Sequence, residues 1–167
     1  MNEINFIEVK LDEEDKIKDL SSLATKIIRK HYDPILGSKQ NDYMIDKFQS
    51  VKAIKKQLED NYKYYLINNG LNIGFMAYYL KEDSLYISKF YLLEEERNKG
   101  TGKKVLAFIE NKCLENNKNK ISLNVNRFNY DSIKAYEAMG FKRIRIEDND
   151  IGSGYLMEDY VYEKDIV

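Results

Sequence analysis

Apolar residues recur along this chain at two spacings, and the switches between them mark its elements. From 4 to 9 the run INFIEV is apolar and β-rich, and Asp12 to Asp15 then supply acidic helix-start chemistry ahead of Ile17, Leu20, Leu23, Ala24, Ile27 and Ile28. This predicts a strand followed by an amphipathic helix. The helix should stop near His31 to Asp33, because Pro34 disfavours helical geometry in the residue before it and Gly37-Ser38 continue a loop. Tyr43, Met44, Phe48, Val51, Ile54 and Leu58 then recur at three- and four-residue intervals, which predicts one further helix over about 41–60.

Three extended stretches follow at 63–68, 72–80 and 84–93, separated by Asn68-Asn69-Gly70 and Glu82-Asp83, so antiparallel neighbours are expected. Beyond Gly102, the residues Val105, Leu106, Ile109 and Cys113 share a helical face, and Ile121, Leu123 and Val125 alternate on a strand at 121–126. Strand, helix and strand in that order form a parallel crossover over 85–126. A short helix at 130–139 and two strands at 141–147 and 155–163, around the turn Gly152-Ser153-Gly154, complete the pattern. The order β-α-α-β-β-β-α-β-α-β-β describes a single α/β domain over 1–167 with a mixed sheet.

Composition narrows the class. At 167 residues, 43% apolar and 33% charged, with one proline and eight glycines, the chain has the makeup of a globular domain and not of a disordered or fibrous one. A net charge of −1 gives no global pull toward nucleic acid or a membrane, and no apolar run approaches the roughly 18 residues of a membrane span. One cysteine, Cys113, and one histidine, His31, are too few for a disulfide or a structural zinc site. A cytoplasmic protein without a metal, a membrane partner or a nucleic-acid partner is expected. Charge is uneven along the chain: residues 97–127 hold eight basic groups against two acidic ones, which would draw a polyanionic ligand.

The most informative segment is Leu92-Leu93-Glu94-Glu95-Glu96-Arg97-Asn98-Lys99-Gly100-Thr101-Gly102-Lys103, between an expected strand and an expected helix. Two glycines allow a tight turn that points successive N–H groups outward at the positive end of a helix, an anion-binding arrangement. A Walker A loop is excluded by Arg97 and Lys104, and a dinucleotide fingerprint by Val105. Taken alone, the spacing fits a solvated lysine-rich loop equally well.

Two motifs together carry a resemblance. Arg97-Asn98-Lys99-Gly100-Thr101-Gly102 is similar to the Gln/Arg-x-x-Gly-x-Gly/Ala pyrophosphate loop of the GNAT N-acetyltransferases, and NYDSIKAYEAMGF at 129–141 resembles their downstream signature. The resemblance is strong over 85–141 and extends elsewhere by element order. Glu94 and Glu96 stand where family members often carry a proline and an aromatic.

The resemblance implies an α+β fold, with a mixed, mostly antiparallel central sheet of about seven strands flanked by four helices. It implies acetyl-CoA as donor, with the pyrophosphate on Arg97, Asn98, Lys99, Gly100, Thr101, Gly102 and Lys103. The pantetheine arm would pair with the backbone of Tyr91, Leu92 and Leu93, with Asn129, Ser132 and Tyr136 completing the site. The Leu92 amide would polarise the acetyl carbonyl, and Tyr136, a phenol of pKa about 10, would return a proton to the departing thiolate. Outside the resemblance, Tyr136 reads as one of 14 tyrosines on a helical face with Ile133.

Substrate recognition would fall to 31–43, with His31, Tyr32 and Tyr43, and to 147–160, with Glu158 and Asp159. Acids at the second segment suit a cationic amine, and the layout is distantly similar to bacterial polyamine acetyltransferases. Glu94 to Glu96, Asp159 and His31 are candidate bases by location alone. Three alternatives to a small-amine enzyme stay open: a noncatalytic acyl-CoA sensor, a protein or peptide N-acetyltransferase, and a nucleic-acid module on the basic stretch. A homodimer is compatible with the many tyrosines and isoleucines, with no interface assigned.

Overall fold

The computed structural model describes residues 3–166. The remaining residues of the expected 1–167 domain, at 1, 2 and 167, lie outside the described residues. The chain runs β1 (Asn5–Val9), α1 (Glu14–Leu36), α2 (Ser38–Gln49), α3 (Val51–Glu59), β2 (Lys63–Asn68), β3 (Asn72–Leu80) and β4 (Leu85–Leu92). A one-turn 3-10 helix at Glu94–Glu96 precedes α4 (Thr101–Glu115), β5 (Lys120–Asn126), α5 (Tyr130–Ala138), β6 (Lys142–Gly152) and β7 (Tyr155–Asp165). The strands form one seven-stranded sheet in the order β1-β2-β3-β4-β5-β7-β6. β4 and β5 are parallel, as the crossover predicts, while β1-β2, β2-β3, β5-β7 and β6-β7 are antiparallel.

Contacts divide the chain into two compact units. One comprises the residues up to Tyr79 together with Lys89–Gly102, and the other Leu80–Ser88 with everything from Lys103 onward. In the first, the apolar stripe of α1 (Ile17, Leu20, Ala24, Ile27, Ile28) forms one core with Ile45 of α2, Ile54 of α3, and Val9, Tyr64, Leu66, Phe75 and Ala77 of the sheet. Burial of each of the valine, leucine, isoleucine and phenylalanine side chains contributes about 1.5–3 kcal/mol. In the second, Val105, Ile109 and Cys113 of α4 and Ile121 and Leu123 of β5 are all buried, and so are Val161 and Tyr162 of β7. Two polar ties fix β7 to its helices: Tyr162 donates to Glu137 at 2.7 Å, and Lys164 meets Glu110 at 3.0 Å.

Two helical expectations are corrected. α1 does not stop at His31–Asp33 but continues through Pro34 to Leu36, so the expected loop at 31–43 is the end of one helix and the start of the next. Tertiary contacts override the proline. Asn41 of α2, fully buried, donates to the Asp33 carboxylate at 2.8 Å and to the Ile28 carbonyl at 3.2 Å, and Arg29 pairs with Asp42 at 2.6 Å. Because Pro34 lies in the last turn, it removes a single N–H donor next to a helix end already stabilised by α2. The expected helix over 41–60 is broken at Ser50, whose extended backbone ends α2 and whose hydroxyl accepts the Ala53 N–H at 3.1 Å as the cap of α3. The described residues therefore hold five α-helices, not four.

Candidate active site

β4 and the loop after it present the main chain on which the site is built. At the turn of the β3-β4 hairpin Lys81 N–H donates to the Ser84 carbonyl, and at its open end Leu93 N–H donates to the Ile73 carbonyl, both at 2.8 Å. Gly74 of β3 makes room there: a Cβ at this position would lie 2.4 Å from the Tyr91 carbonyl oxygen and 3.2 Å from the Leu92 Cα. Glycine inside a strand here serves a close backbone approach.

After Leu92 the chain turns through the 3-10 helix. The Leu93 carbonyl accepts the Glu96 N–H at 2.9 Å, and the Arg97 guanidinium reaches back to the Leu92 carbonyl at 3.4 Å. Glu94 pairs with Lys30 of α1 at 2.8 Å, and that contact holds its carboxyl below the usual carboxylate range. The departure at Glu94–Glu96 is thus a tie between the strand end and α1. Asn98 (φ 60°) and Gly100 (φ 82°) then adopt left-handed geometry directly before the first turn of α4, and open space surrounds the Cβ positions of Gly100 and Gly102. Left-handed backbone directly before the positive end of a helix, with open space at its glycines, is an arrangement that suits a phosphate group. Lys103 and Lys104 are exposed, whereas Lys99, Lys112, Lys120 and Arg127 of the basic stretch are each paired with a carboxylate.

Near the end of β4, Tyr91 packs against Phe75 (ring centroids 5.5 Å) and, edge-on, against Tyr32 (6.4 Å), which meets His31 at 4.7 Å. The first unit thereby brings His31, Tyr32, Tyr91 and Glu94 together. Tyr43, on α2, takes part in a different contact, under the Lys47 ammonium.

In the second unit Asn129 is buried, and its side chain caps α5 by accepting the Ser132 N–H at 3.3 Å. Its own N–H donates to the Asn126 carbonyl at 3.0 Å. Asp159 of β7 stands opposite that same Asn126 and opposite Glu147 of β6. Asn124 donates to both carboxylates, at 3.3 Å to Asp159 and 3.4 Å to Glu147. Burial pushes the Asp159 carboxyl up, with Glu147 adding to the rise. Glu147, bonded by Asn149 and Arg145, is held down. Glu158 points to the other face of β7 from Asp159, so the two acids do not line one wall. Tyr136, on α5, packs edge-on against Phe141 at 5.5 Å.

One buried cation was not expected. Lys89, an inward position of β4 and 6% exposed, donates to the Phe48 carbonyl, to Gln49 at 2.9 Å and to Gln57 at 3.0 Å, with its ammonium over the Tyr64 ring. Burial brings its pKa down to about 7. The period-two pattern Leu85, Ile87, Lys89 was the available signal, since it sets a lysine on the core face.

A model of the acetyltransferase (GNAT) family matches residues 26–141, a span that includes the pyrophosphate-type loop and the 129–141 signature. The chain belongs to that family. This GNAT acetyltransferase is similar in fold to a PaiA N-acetyltransferase from Thermoplasma acidophilum solved with coenzyme A, at 20% identity and a TM-score of 0.79, over 98% of this chain and 99% of that one. A GNAT-family acetyltransferase from Staphylococcus aureus superposes with a TM-score of 0.70 at 20% identity, over 99% and 100% of the two chains. An acetyltransferase from Thermus thermophilus does so with 0.68 at 13%, over 99% and 100%. No curated protein matches the sequence. Membership makes the chain an acetyltransferase of the acetyl-CoA-dependent class. Among the described residues, no helix is long and apolar enough to cross a membrane.

Proposed function

We propose that this enzyme transfers an acetyl group from acetyl-CoA to a small primary amine by direct attack, with both substrates bound at once and no covalent enzyme intermediate. The observation that carries the reading is the loop Arg97–Lys103: two left-handed residues, Asn98 and Gly100, lie directly before α4, open space surrounds the glycine Cβ positions, and the loop's main-chain amides stand at the positive end of that helix. Those amides, with Arg97, Lys99 and Lys103, would hold the pyrophosphate. Acetyl-CoA supplies an acetyl group activated as a thioester.

The remaining roles belong to the chain. Tyr91 and Leu92 offer main chain to the pantetheine arm, and the Leu92 amide stabilises negative charge developing on the acetyl oxygen. Leu93 has a structural task, since its N–H serves Ile73 and its carbonyl serves Glu96. Asn129 and Ser132 are assigned to the cofactor and Tyr136 to proton return, on the match of 129–141 to the family signature. For the proton that the attacking ammonium must lose, Asp159 is the acceptor: burial raises its pKa while hydrogen bonds lower that of its neighbour Glu147, which makes Asp159 the stronger base of the two and Glu147 the more persistent anion. Glu147 and Asp159 also support a cationic acceptor, polyamines included. The whole chain is read as one acetyltransferase domain, supported by a family match that runs across both units.

The test is thiol release from acetyl-CoA in the presence of polyamines, amino acids, aminoglycosides and peptide N-termini. Turnover with a small amine supports the reading. Tight acetyl-CoA binding with no turnover on any amine contradicts it and favours a sensor, and turnover confined to peptides favours the protein-modifying alternative.

A further inference from the structure

Lys89 is the only lysine buried among the described residues, and the chemistry assigned to acetyl transfer does not use it. Its surroundings form a closed polar cluster. An ammonium has three protons to donate, and three acceptors surround this one: the Phe48 carbonyl, Gln49 Oε1 and Gln57 Oε1. Those acceptors are themselves tied. Gln57 Nε2 donates to the Phe48 carbonyl at 3.2 Å, the Tyr64 hydroxyl donates to Gln57 Oε1, and the Ser21 hydroxyl donates to the Gln49 carbonyl at 2.7 Å. Side chains or main chain of α1, α2, α3, β2 and β4 therefore meet at one ammonium. Stability does not account for a lysine here. Burial draws its pKa down to about 7, so the charge is held at a cost, and an apolar side chain of similar volume is usually at least as favourable in a core.

The contacts beyond the cluster lead back to the strand they start from. α2 is held at both ends: its last residues, Phe48 and Gln49, by Lys89, and its first turns by the end of α1. There Asn41 donates to Asp33 at 2.8 Å and Asp42 pairs with Arg29 at 2.6 Å. The same end of α1 presents Tyr32, edge-on to Tyr91 at 6.4 Å, and Lys30, paired with Glu94 at 2.8 Å. A continuous path thus runs from Lys89 through α2 and the end of α1 to Tyr91, two residues further along β4.

We propose that Lys89 is a positioning residue for acetyl transfer: by clasping the α2–α3 junction it keeps the end of α1 pressed on Tyr91, and so fixes the main chain of Tyr91 and Leu92. This rests on the role given to that main chain under the proposed function. Tyr91 is held from one side by Phe75 and from the other by Tyr32, and slackening α2 releases the second. Small displacements of groups that orient a reacting centre cost far more in rate than in binding. Lysine suits the task because its long stem carries three donors to acceptors on two helices, which methionine fills in space but cannot bond.

Hydrogen exchange and kinetics on the full chain, for wild type, Lys89→Met, Gln49→Leu and the double variant, test the proposal. In Lys89→Met, amides over 29–36 and 91–93 should exchange at least tenfold faster, with wild-type protection kept over 105–113 in α4 as the sign of a folded chain. With a responsive amine, kcat should fall at least tenfold while the KM for acetyl-CoA changes less than threefold, because the Arg97–Lys103 loop and the Leu93–Ile73 bond are untouched. Gln49→Leu should shift both readouts in the same direction by less, and it carries the test if Lys89→Met does not fold. The double variant should be no worse than Lys89→Met, since both act through one contact. Wild-type exchange at 29–36 and 91–93, an unchanged kcat, or losses that add in the double variant would overturn the proposal. A wild type inactive on every amine would overturn the small-amine reading instead, and exchange alone would then decide whether Lys89 orders the strand end.

Discussion

Gly74 and Tyr91 face each other so closely that a methyl group at position 74 would stand 2.4 Å from the Tyr91 carbonyl oxygen and 2.7 Å from the Leu92 side chain. The end of β4 lies against β3 because nothing projects from Gly74. The main chain assigned to the pantetheine arm thus depends on a residue outside both family motifs.

Gly74→Ala should therefore cost more than a glycine-to-alanine change in a strand usually does. The obstacle is backbone, which must shift, and overpacking of this kind costs roughly 1–3 kcal/mol. At this chain length that lowers Tm by about 3–10 °C. Displacing Tyr91 and Leu92 should also weaken acetyl-CoA binding by at least about tenfold. Scanning calorimetry and titration calorimetry read the two effects. Unchanged affinity in a variant that has lost stability would separate the Gly74 contact from the cofactor site.

Lys89 makes folding stability depend on pH. Its pKa falls from the ordinary 10.5 to about 7 on burial, so between those values the unfolded chain holds a proton that the folded chain has released. Stability therefore rises with pH across that window, and below pH about 7 the full cost of burying the ammonium is present. The slope is at most about 1.4 kcal/mol per pH unit. Urea unfolding between pH 6.5 and 9.5 should show this slope in wild type and lose it in Lys89→Met. Parallel slopes in the two proteins would contradict the assignment.

Asp159 should set the acidic limb of the rate profile. Burial raises its pKa, so activity should fall away on acidification at a pH above the ordinary carboxylate range. Asp159→Asn should lower kcat by roughly a hundredfold or more and abolish that limb while leaving acetyl-CoA affinity intact. An unaltered limb in the variant would assign the proton acceptor elsewhere.

Most of the architecture could be read from apolar spacing, because local periodicity and burial agree in this chain. The loop was legible because glycine spacing between a strand and a helix is a local signal, and its match to a family motif gave it a ligand. The misreadings came where distant residues decide. Pro34 marks a helix end by local rules, yet Asn41 and Asp42 hold Asp33 and Arg29 in α1. Ser50 divides one apolar stripe into two helices because its hydroxyl caps the second. Gly74 and Lys89 carried signals of their own, a glycine inside a strand and a lysine at an inward position, but their partners lie across a hairpin and some 40 residues away. Glu158 and Asp159 are adjacent in sequence, and strand geometry turns them to opposite faces.

The most direct test of the central claim is thiol release from acetyl-CoA with a responsive amine, run for wild type and Tyr136→Phe beside a binding isotherm for acetyl-CoA. Direct transfer with Tyr136 as proton donor predicts turnover that needs the amine, a fall in kcat of about a hundredfold in the variant, and unchanged acetyl-CoA affinity. Amine-independent thiol release, or equal kcat in the two proteins, would contradict it.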